Sequence, residues 1–395
     1  VTSFFKVKFT MIIKVLYILP STTMYGDNIA LLNIIPVLQK SGISPLFLVE
    51  ANSMVYDVLK LRGYETITVP SIYYPSIYPI LTVSYVLKFI KWKVKNILWG
   101  HAQIHRLIQI IDGYSPDLIH SNNSFTYLGY LLAKKMEIPH IWHIREYGKL
   151  DANRYYFPSK RVFVKKIVSV SNYCITITGD IKKYFRLSNN TDMIYDGVIS
   201  SEDPIPDIKN KKEYFLFVGR LIPTKGVDII IDSFVDFCKF NKDISLLIVG
   251  DSDDSKYKRK LKEKVLRESM GDRILFLGYR NDVNDLMSEA KALIVASQFE
   301  AFGFITAEAM YNGCPVIGHY TGGTAEQLDN IQSKLGKLIG YRYRNSAELT
   351  ECLLKAIVGY SKSELKAVQE VVITLYSIQN SATLVFNKYR SILKF

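Results

Sequence analysis

The sequence predicts an α/β protein built from two Rossmann-like domains, and three observations predict it. At 395 residues the chain exceeds what one core usually organises. Apolar runs of strand length alternate with helical stretches along nearly all of it, the pattern of a parallel sheet covered on both faces. That alternation is broken once, by the polar, proline-bearing stretch Ser200 to Lys212, which reads as a linker.

In the first half, Met11 to Leu19 reads as the first strand, and the ten residues before it as an extension ahead of the native start. A loop from Pro20 to Asn28 carries Gly26, and Ile29 to Lys40 has helical periodicity up to Ser41-Gly42. This is the β-loop-α unit that opens a Rossmann-like domain. Further strands are expected at Leu46 to Glu50, Thr66 to Val69, Asp117 to His120, His140 to Ile144 and Lys166 to Ser171, with a helix at Thr126 to Met136. The second half repeats the theme. Strands are expected at Tyr214 to Val218, Ser245 to Val249, Ile274 to Leu277, Ala292 to Ala296, Val316 to Ile317 and Lys337 to Ile339. Helices are expected at Val227 to Phe240, Lys256 to Glu268 and Val283 to Ala290. A last helix, Ser377 to Lys394, sets Leu384, Val385, Tyr389 and Ile392 at helical spacing. The expected division is residues 11–200, a linker at 201–212, a second domain at 213–376 and a terminal helix at 377–395.

Composition narrows the class. Hydrophobic residues make up 48%, which supports sizeable cores and excludes bulk disorder. No uninterrupted apolar segment is long enough to span a bilayer and no tripartite leader is visible, so the expectation is a cytoplasmic protein, peripheral at most on the inner face of a membrane. The four cysteines are scattered without C-x-x-C spacing and read as buried thiols, neither disulfides nor zinc ligands. The net charge is +13, and the surplus is concentrated early: residues 1–200 carry 23 Lys and Arg against 12 Asp and Glu. That favours acidic partners such as phosphorylated substrates or anionic lipid. Nucleic acid is not expected, because no binding module is recognisable. Tyr85 to His101, YVLKFIKWKVKNILWGH, interleaves lysines with Phe89, Trp92 and Trp99; it reads either as a surface-lying membrane helix or as a half-buried helix with solvated lysines.

Three stretches carry chemistry. Gln298 to Ile317, QFEAFGFITAEAMYNGCPVI, places Glu300 and Glu308 around a Phe302-Gly303 turn at a helix start, where backbone N–H groups face an anion. Val218 to Asp228, VGRLIPTKGVD, places Arg220 and Lys225 in a turn after a strand; a guanidinium forks onto phosphate oxygens and an ammonium adds a compact charge. His140 to Glu146, HIWHIRE, ends a first-domain strand in His143 and Arg145. Each has an ordinary reading as well: a glutamate at a helix start is a dipole partner, two surface cations mean little alone, and a strand histidine is more often a satisfied core residue.

Together these stretches resemble family 4 retaining glycosyltransferases, which have the GT-B fold of two Rossmann-like domains facing across a cleft. The pattern Glu-x-Phe-Gly-x-x-x-x-Glu-Ala-Met-x-x-Gly-x-Pro-Val-Ile stands at 300–317, V-G-R-L-x-x-x-K-G-x-D at 218–228 and Trp-His-x-Arg-Glu at 142–146. The resemblance covers most of the chain, most densely Tyr214 to Gln327. It implies transfer of a sugar from a nucleotide-diphosphate donor to a hydroxyl of a glycan or lipid-linked acceptor, as in bacterial surface polysaccharide synthesis. It also implies that Gly219, Arg220 and Lys225 hold the diphosphate, Glu308 the ribose, Glu300 the sugar hydroxyls and the backbone of Phe302 and Gly303 the sugar or phosphate. Tyr279 would lie against the base. On the acceptor side it implies Gly26, Asp27, His120, His143 and Arg145, with His143 facing the donor sugar. The catalytic group would be His143, Glu300, Arg220 and Lys225. With no Asp-x-Asp in a suitable loop, no metal is expected, and no cofactor beyond the donor. Thr324 and Gln327 fit a capping box, and Glu326 fits the family position after a double glycine. Cys174 to Thr178 reads as a strand from its β-branched residues and as a helix from the family pattern. The terminal helix is expected either to cross back to the first domain or to pack on the second. One departure stands out: many relatives have two adjacent glycines after the first strand, where this chain has Gly26-Asp27 and so brings a carboxylate toward a diphosphate. An epimerase of the same fold and a non-catalytic partner subunit are the alternatives.

Overall fold

The structure, a computed structural model, describes residues 12–72, 76–77, 104–156, 159–169, 172–187 and 190–395. The expectations for the first ten residues and for Tyr85 to His101 fall outside them. The chain divides into two compact units: one runs to Gly197 and is rejoined by Ile378–Phe395, and the other is Val198–Ser377.

The first unit is built on a parallel seven-stranded sheet. In chain order its strands are β1 (Ile13–Leu19), β2 (Ile43–Glu50), β3 (Thr66–Val69), β5 (Leu118–Ser121), β6 (His140–Ile144), β8 (Asn172–Thr176) and β9 (Thr191–Met193), arranged β3-β2-β1-β5-β6-β8-β9. Two short strands, β4 (Ser76–Ile77) and β7 (Tyr155–Tyr156), pair antiparallel apart from it. Its helices are α1 (Gly26–Lys40), α2 (Met54–Leu61), α3 (104–112), α4 (Leu128–Met136), α5 (Lys149–Ala152), α6 (Lys160–Ile167) and α7 (Gly179–Phe185). Successive strand residues face opposite sides of the sheet. Ile13, Val15, Tyr17 and Leu19 accordingly join one core with α1 and α2, while Leu16 and Ile18 join another with α3 and α4. The terminal helix α15 (Ile378–Leu393) belongs to this unit: it buries Ala382, Val385, Tyr389 and Ile392, one stripe at helical spacing, in the α1 core.

The second unit is a parallel six-stranded sheet of β10 (Tyr214–Val218), β11 (Ser245–Val249), β12 (Ile274–Gly278), β13 (Ala292–Val295), β14 (Val316–His319) and β15 (Tyr341–Tyr343), in the order β12-β11-β10-β13-β14-β15. Between them lie α8 (Val227–Cys238), α9 (Ser255–Arg267), α10 (Val283–Glu289), α11 (Phe304–Tyr311) and α12 (Gly322–Leu335), and α13 (Ser346–Ala356) and α14 (Lys362–Tyr376) follow. Phe215, Phe217, Ile230, Phe234, Leu349 and Leu353 are among the residues of one core formed by β10, α8 and α13.

Three expectations are corrected. The described part of Lys166 to Ser171, residues 166–169, is not a strand: Ser159 caps α6 by accepting from the Val162 N–H at 3.3 Å, and this amphipathic helix absorbs Lys166 and Ile167. The strand follows at Asn172–Thr176, so the β-branched reading of Cys174 to Thr178 prevails over the helical one. Lys337 to Ile339 is likewise only the approach to β15, an edge strand of Tyr341, Arg342 and Tyr343. All four cysteines are free and buried, and burial pushes the Cys314 thiol up to about 12. No helix among the described residues is long and apolar enough to cross a membrane.

Candidate active site

The second sheet reverses its strand order at β10 and β13, and loops diverge from the carboxyl ends of strands at such a point, leaving room for a ligand. There the loop after β10 meets the loop after β13. Gly226, at φ +67°, caps α8 and lies so close to β13 that a Cβ on it would stand 2.4 Å from the Ala296 carbonyl. The Gln298 N–H donates to the Thr224 carbonyl at 3.1 Å. These contacts bring Lys225 onto Glu300: the ammonium is ion-paired with Oε1, which also accepts from the Ser297 hydroxyl at 2.6 Å. Arg220 is exposed on the same loop.

Glu300, Phe302 and Gly303 are held from behind by α12. The Gly323 N–H donates to the Glu300 carbonyl at 2.7 Å, and a Cβ on Gly323 would sit 2.1 Å from the Phe302 carbonyl. Gln327 is buried and donates its amide to the carbonyls of Phe302 and Gly303 at 2.7 and 3.1 Å. The Phe302 ring is buried against Phe304 and Tyr376, leaving only its backbone for a ligand. Gly303, at φ +88°, caps α11, and one turn into that helix stands Glu308. Its carboxyl is half-buried, has no hydrogen-bond partner among the described residues, and is held above the ordinary carboxylate range by burial. Tyr279 follows β12 and is 82% exposed.

In the first unit the reversal falls at β1 and β5. Asn122, Asn123 and Ser124 leave β5 there, and Arg145 and Glu146 leave β6. His143, in β6, is buried; its Nδ1 lies 3.2 Å from His120 Nε2 and 3.3 Å from the Arg145 guanidinium, and its Nε2 has no partner among the described residues. Burial, then the Arg145 charge, holds both histidines well below the usual imidazole pKa, so both are neutral. The guanidinium is ion-paired with Asp196 and donates from Nε to Asn122 at 3.0 Å. Glu146 accepts from the Ser124 N–H at 2.6 Å and from the Ser124 hydroxyl, and burial pushes it up to about 8.

Several expected residues are placed differently from their expected roles. His120 is fully buried with both ring nitrogens engaged, one on His143 and the other 2.7 Å from the Tyr389 hydroxyl; it supports His143 instead of meeting an acceptor. Arg145 is enclosed in the same way by Asp196, Asn122 and His143. Asp27 stands in the first turn of α1, where an acid is favourable, and its carboxylate accepts from the Ser21 hydroxyl and, at 3.3 Å, from Asn123. Gly26 opens that helix and is exposed. Thr324 is not an N-cap: α12 starts two residues earlier, after Thr321, and Thr324 lies 3.2 Å from Thr306 inside the helix pair. Ser297, Gln327, Asn122, Asp196 and Tyr389 were not read from the sequence as site residues; only the polar run after β5 offered a local signal.

Residues 199–357 match the family model described as glycosyl transferases group 1. An uncharacterized glycosyltransferase of Methanocaldococcus jannaschii is 28% identical over 70% of this chain and 72% of its own. The O-antigen chain mannosyltransferase of Salmonella typhimurium is 30% identical over 42% of this chain and 49% of its own. Among solved structures, HepE of Anabaena in complex with UDP superposes with a TM-score of 0.75 at 18% identity, covering 96% of this chain and all of that one. With two parallel-sheet units of the GT-B type and a match to the glycosyl transferases group 1 model in the second, the chain is a glycosyltransferase.

Proposed function

We propose that the chain is a retaining glycosyltransferase that moves a sugar from a nucleoside-diphosphate donor to a hydroxyl of a glycan or lipid-linked acceptor in polysaccharide synthesis. One observation carries this reading: the loops after β10 and β13, which diverge at the switch point of one sheet, carry Arg220 and the Lys225–Glu300 ion pair, and the helix that follows β13 carries Glu308, whose carboxyl has no hydrogen-bond partner among the described residues. Two cations suit the diphosphate. A half-buried carboxyl without a partner suits a ribose diol, since one carboxylate accepts two hydrogen bonds side by side. Glu300 is left for the sugar hydroxyls, the backbone at Phe302 and Gly303 for the sugar or phosphate, and Tyr279 for the base. The UDP held by the Anabaena neighbour and the mannosyltransferase relative support a nucleotide sugar and a polysaccharide product.

In the reaction, the bond from the anomeric carbon to the diphosphate oxygen breaks as the acceptor hydroxyl oxygen bonds to the same carbon on the face being vacated. The acceptor proton passes to the leaving phosphate. Arg220 and Lys225 stabilise the charge that develops there, where fixed electrostatics contribute most. His143 offers a neutral N–H to the sugar or acceptor, and Asp27 and its partners shape the acceptor side.

A panel of labelled nucleotide sugars tests this: one donor is expected to be turned over with retained anomeric configuration, and Arg220→Ala is expected to lower that turnover at least tenfold. Inverted configuration, or no use of any donor, overturns the reading. The same reading places the protein at a cytoplasmic membrane face through residues 85–101; vesicle binding insensitive to salt and to loss of Lys88 and Lys91 refutes that part.

A further inference from the structure

We infer that Tyr389, carried by the terminal helix, and His120 are positioning residues that fix His143 as the Nε2–H tautomer, so that its unpaired N–H is presented to a substrate oxygen. The inference rests on the proposal that His143 meets substrate.

The polarity of the buried chain follows from its one unambiguous donor. A guanidinium has N–H groups and no acceptor. Arg145 lies 3.3 Å from His143 Nδ1, so that nitrogen accepts and the ring proton sits on Nε2. His120 Nε2, 3.2 Å from the same nitrogen, then has to donate, which leaves His120 Nδ1 as an acceptor. The Tyr389 hydroxyl has one proton and two acceptors in reach, His120 Nδ1 at 2.7 Å and the Tyr17 hydroxyl oxygen, to which it is also aligned to donate, at 3.2 Å; the nearer and more basic nitrogen takes the proton in competition with Tyr17. Every nitrogen of the two rings is thus accounted for except His143 Nε2, which is buried and has no partner among the described residues. A buried donor without a partner is costly, and a ligand oxygen is what would satisfy it.

Tyr389 decides between two arrangements. With its hydroxyl in place, only the Nε2–H form of His120 satisfies both ends of the ring. Without it, the His120 proton is free to move to Nδ1, where it leaves two lone pairs facing each other across the His120–His143 contact. His143 then relieves that repulsion by shifting its own proton to Nδ1 or by turning, and the substrate-facing N–H is lost. Phenylalanine would fill the same space, so packing alone does not explain a fully buried hydroxyl at this position.

The test uses the full chain with 15N-labelled histidine. In the wild type, the imidazole spectra of His143 and His120, assigned with His143→Gln and His120→Gln, are expected to show protonated Nε2 and bare Nδ1. Tyr389→Phe is expected to convert His143 to a mixed or Nδ1–H pattern while the protein stays folded by circular dichroism. It is also expected to lower kcat roughly tenfold, with KM little changed, for the nucleotide sugar that the panel above selects. Glutamine at 143 carries an amide donor that has no tautomers, so in the His143→Gln background Tyr389→Phe is expected to cost nothing further. Unchanged His143 spectra in Tyr389→Phe, or an equal cost in both backgrounds, overturns the inference. If His143→Ala turns over donor as well as the wild type, the substrate contact itself falls, and the spectra distinguish that failure from a failure of the positioning.

Discussion

Gly323→Ala tests how the donor side is held. This glycine has no unusual backbone angle; what it provides is space, since a Cβ would stand 2.1 Å from the Phe302 carbonyl, where 3.0 Å is the least that real contacts show. The amino end of α12 therefore has to retreat from the 300–303 loop by about 0.9 Å, the difference between those two figures. That movement breaks the Gly323 N–H bond to Glu300 and stretches both Gln327 bonds. Overpacking costs about 1–3 kcal/mol and a lost hydrogen bond about 1 kcal/mol, so unfolding by urea is expected to show a loss of roughly 2–4 kcal/mol. Because Glu300 carries Lys225, the same shift misplaces both groups, and donor affinity by calorimetry is expected to weaken at least tenfold, since ångström errors cost on the order of a hundredfold in catalysis. Gly271→Ala, where a Cβ meets nothing within 4 Å, is the control and is expected to change neither quantity. A Gly323→Ala protein with wild-type stability and donor affinity refutes the claim that α12 sets the position of Glu300.

Three other outcomes are expected. Glu308→Gln removes a half-buried carboxylate whose protonation the fold already favours, so at pH 8 the variant is expected to be at least as stable as the wild type while binding donor at least tenfold more weakly; equal affinity by calorimetry removes Glu308 from the site. Asp196→Asn leaves the buried Arg145 guanidinium without its countercharge and is expected to cost about 3–5 kcal/mol in urea unfolding; a loss within 1 kcal/mol by the same standard refutes the pair's structural role. His140 is buried between Ser121 and Asn172, and burial lowers its pKa from 6.5 to about 3. The unfolded chain therefore takes up a proton below pH 6.5 that the folded chain refuses until about pH 3, so this group destabilises the fold as pH falls through that window, by about 1.4 kcal/mol per pH unit. Glu146 acts in the opposite sense, because its protonated folded form gains stability as pH falls from about 8 toward 4.5. The histidine contribution is isolated by comparing pH slopes between 6 and 4 in wild type and His140→Gln; equal slopes contradict it.

Strand positions were largely legible because a covered parallel sheet needs continuous apolar runs, and Tyr214–Val218 and Ser245–Val249 are such runs. Ile167 and Val168 misled because β-branched residues also occur at an amphipathic helix end, and Ile339 because a buried residue just before an edge strand resembles the strand. No helix is expected from the sequence at α14, although Ser361 with Glu364 forms a capping box at its start, and α12 hides its helical period behind two glycines and few apolar positions. At the site, residue types and turns were legible from local spacing. Their pairing was not: Lys225 with Glu300, His120 with Tyr389 and Arg145 with Asp196 are made by the topology of the sheets, and nothing near either member announces the other.

The return of α15 to the first unit has a consequence for synthesis. The second unit, Val198–Ser377, is continuous, so its sheet can close as soon as its own residues have left the ribosome. The first unit cannot do the same, although its strands emerge earlier, because Ala382, Val385, Tyr389 and Ile392 complete the core over α1. Until those residues arrive, an apolar face of the nascent first domain stays open. The usual amino-to-carboxyl order of domain folding is therefore reversed at its last step, and a frameshift or truncation within the final helix would damage the domain translated first.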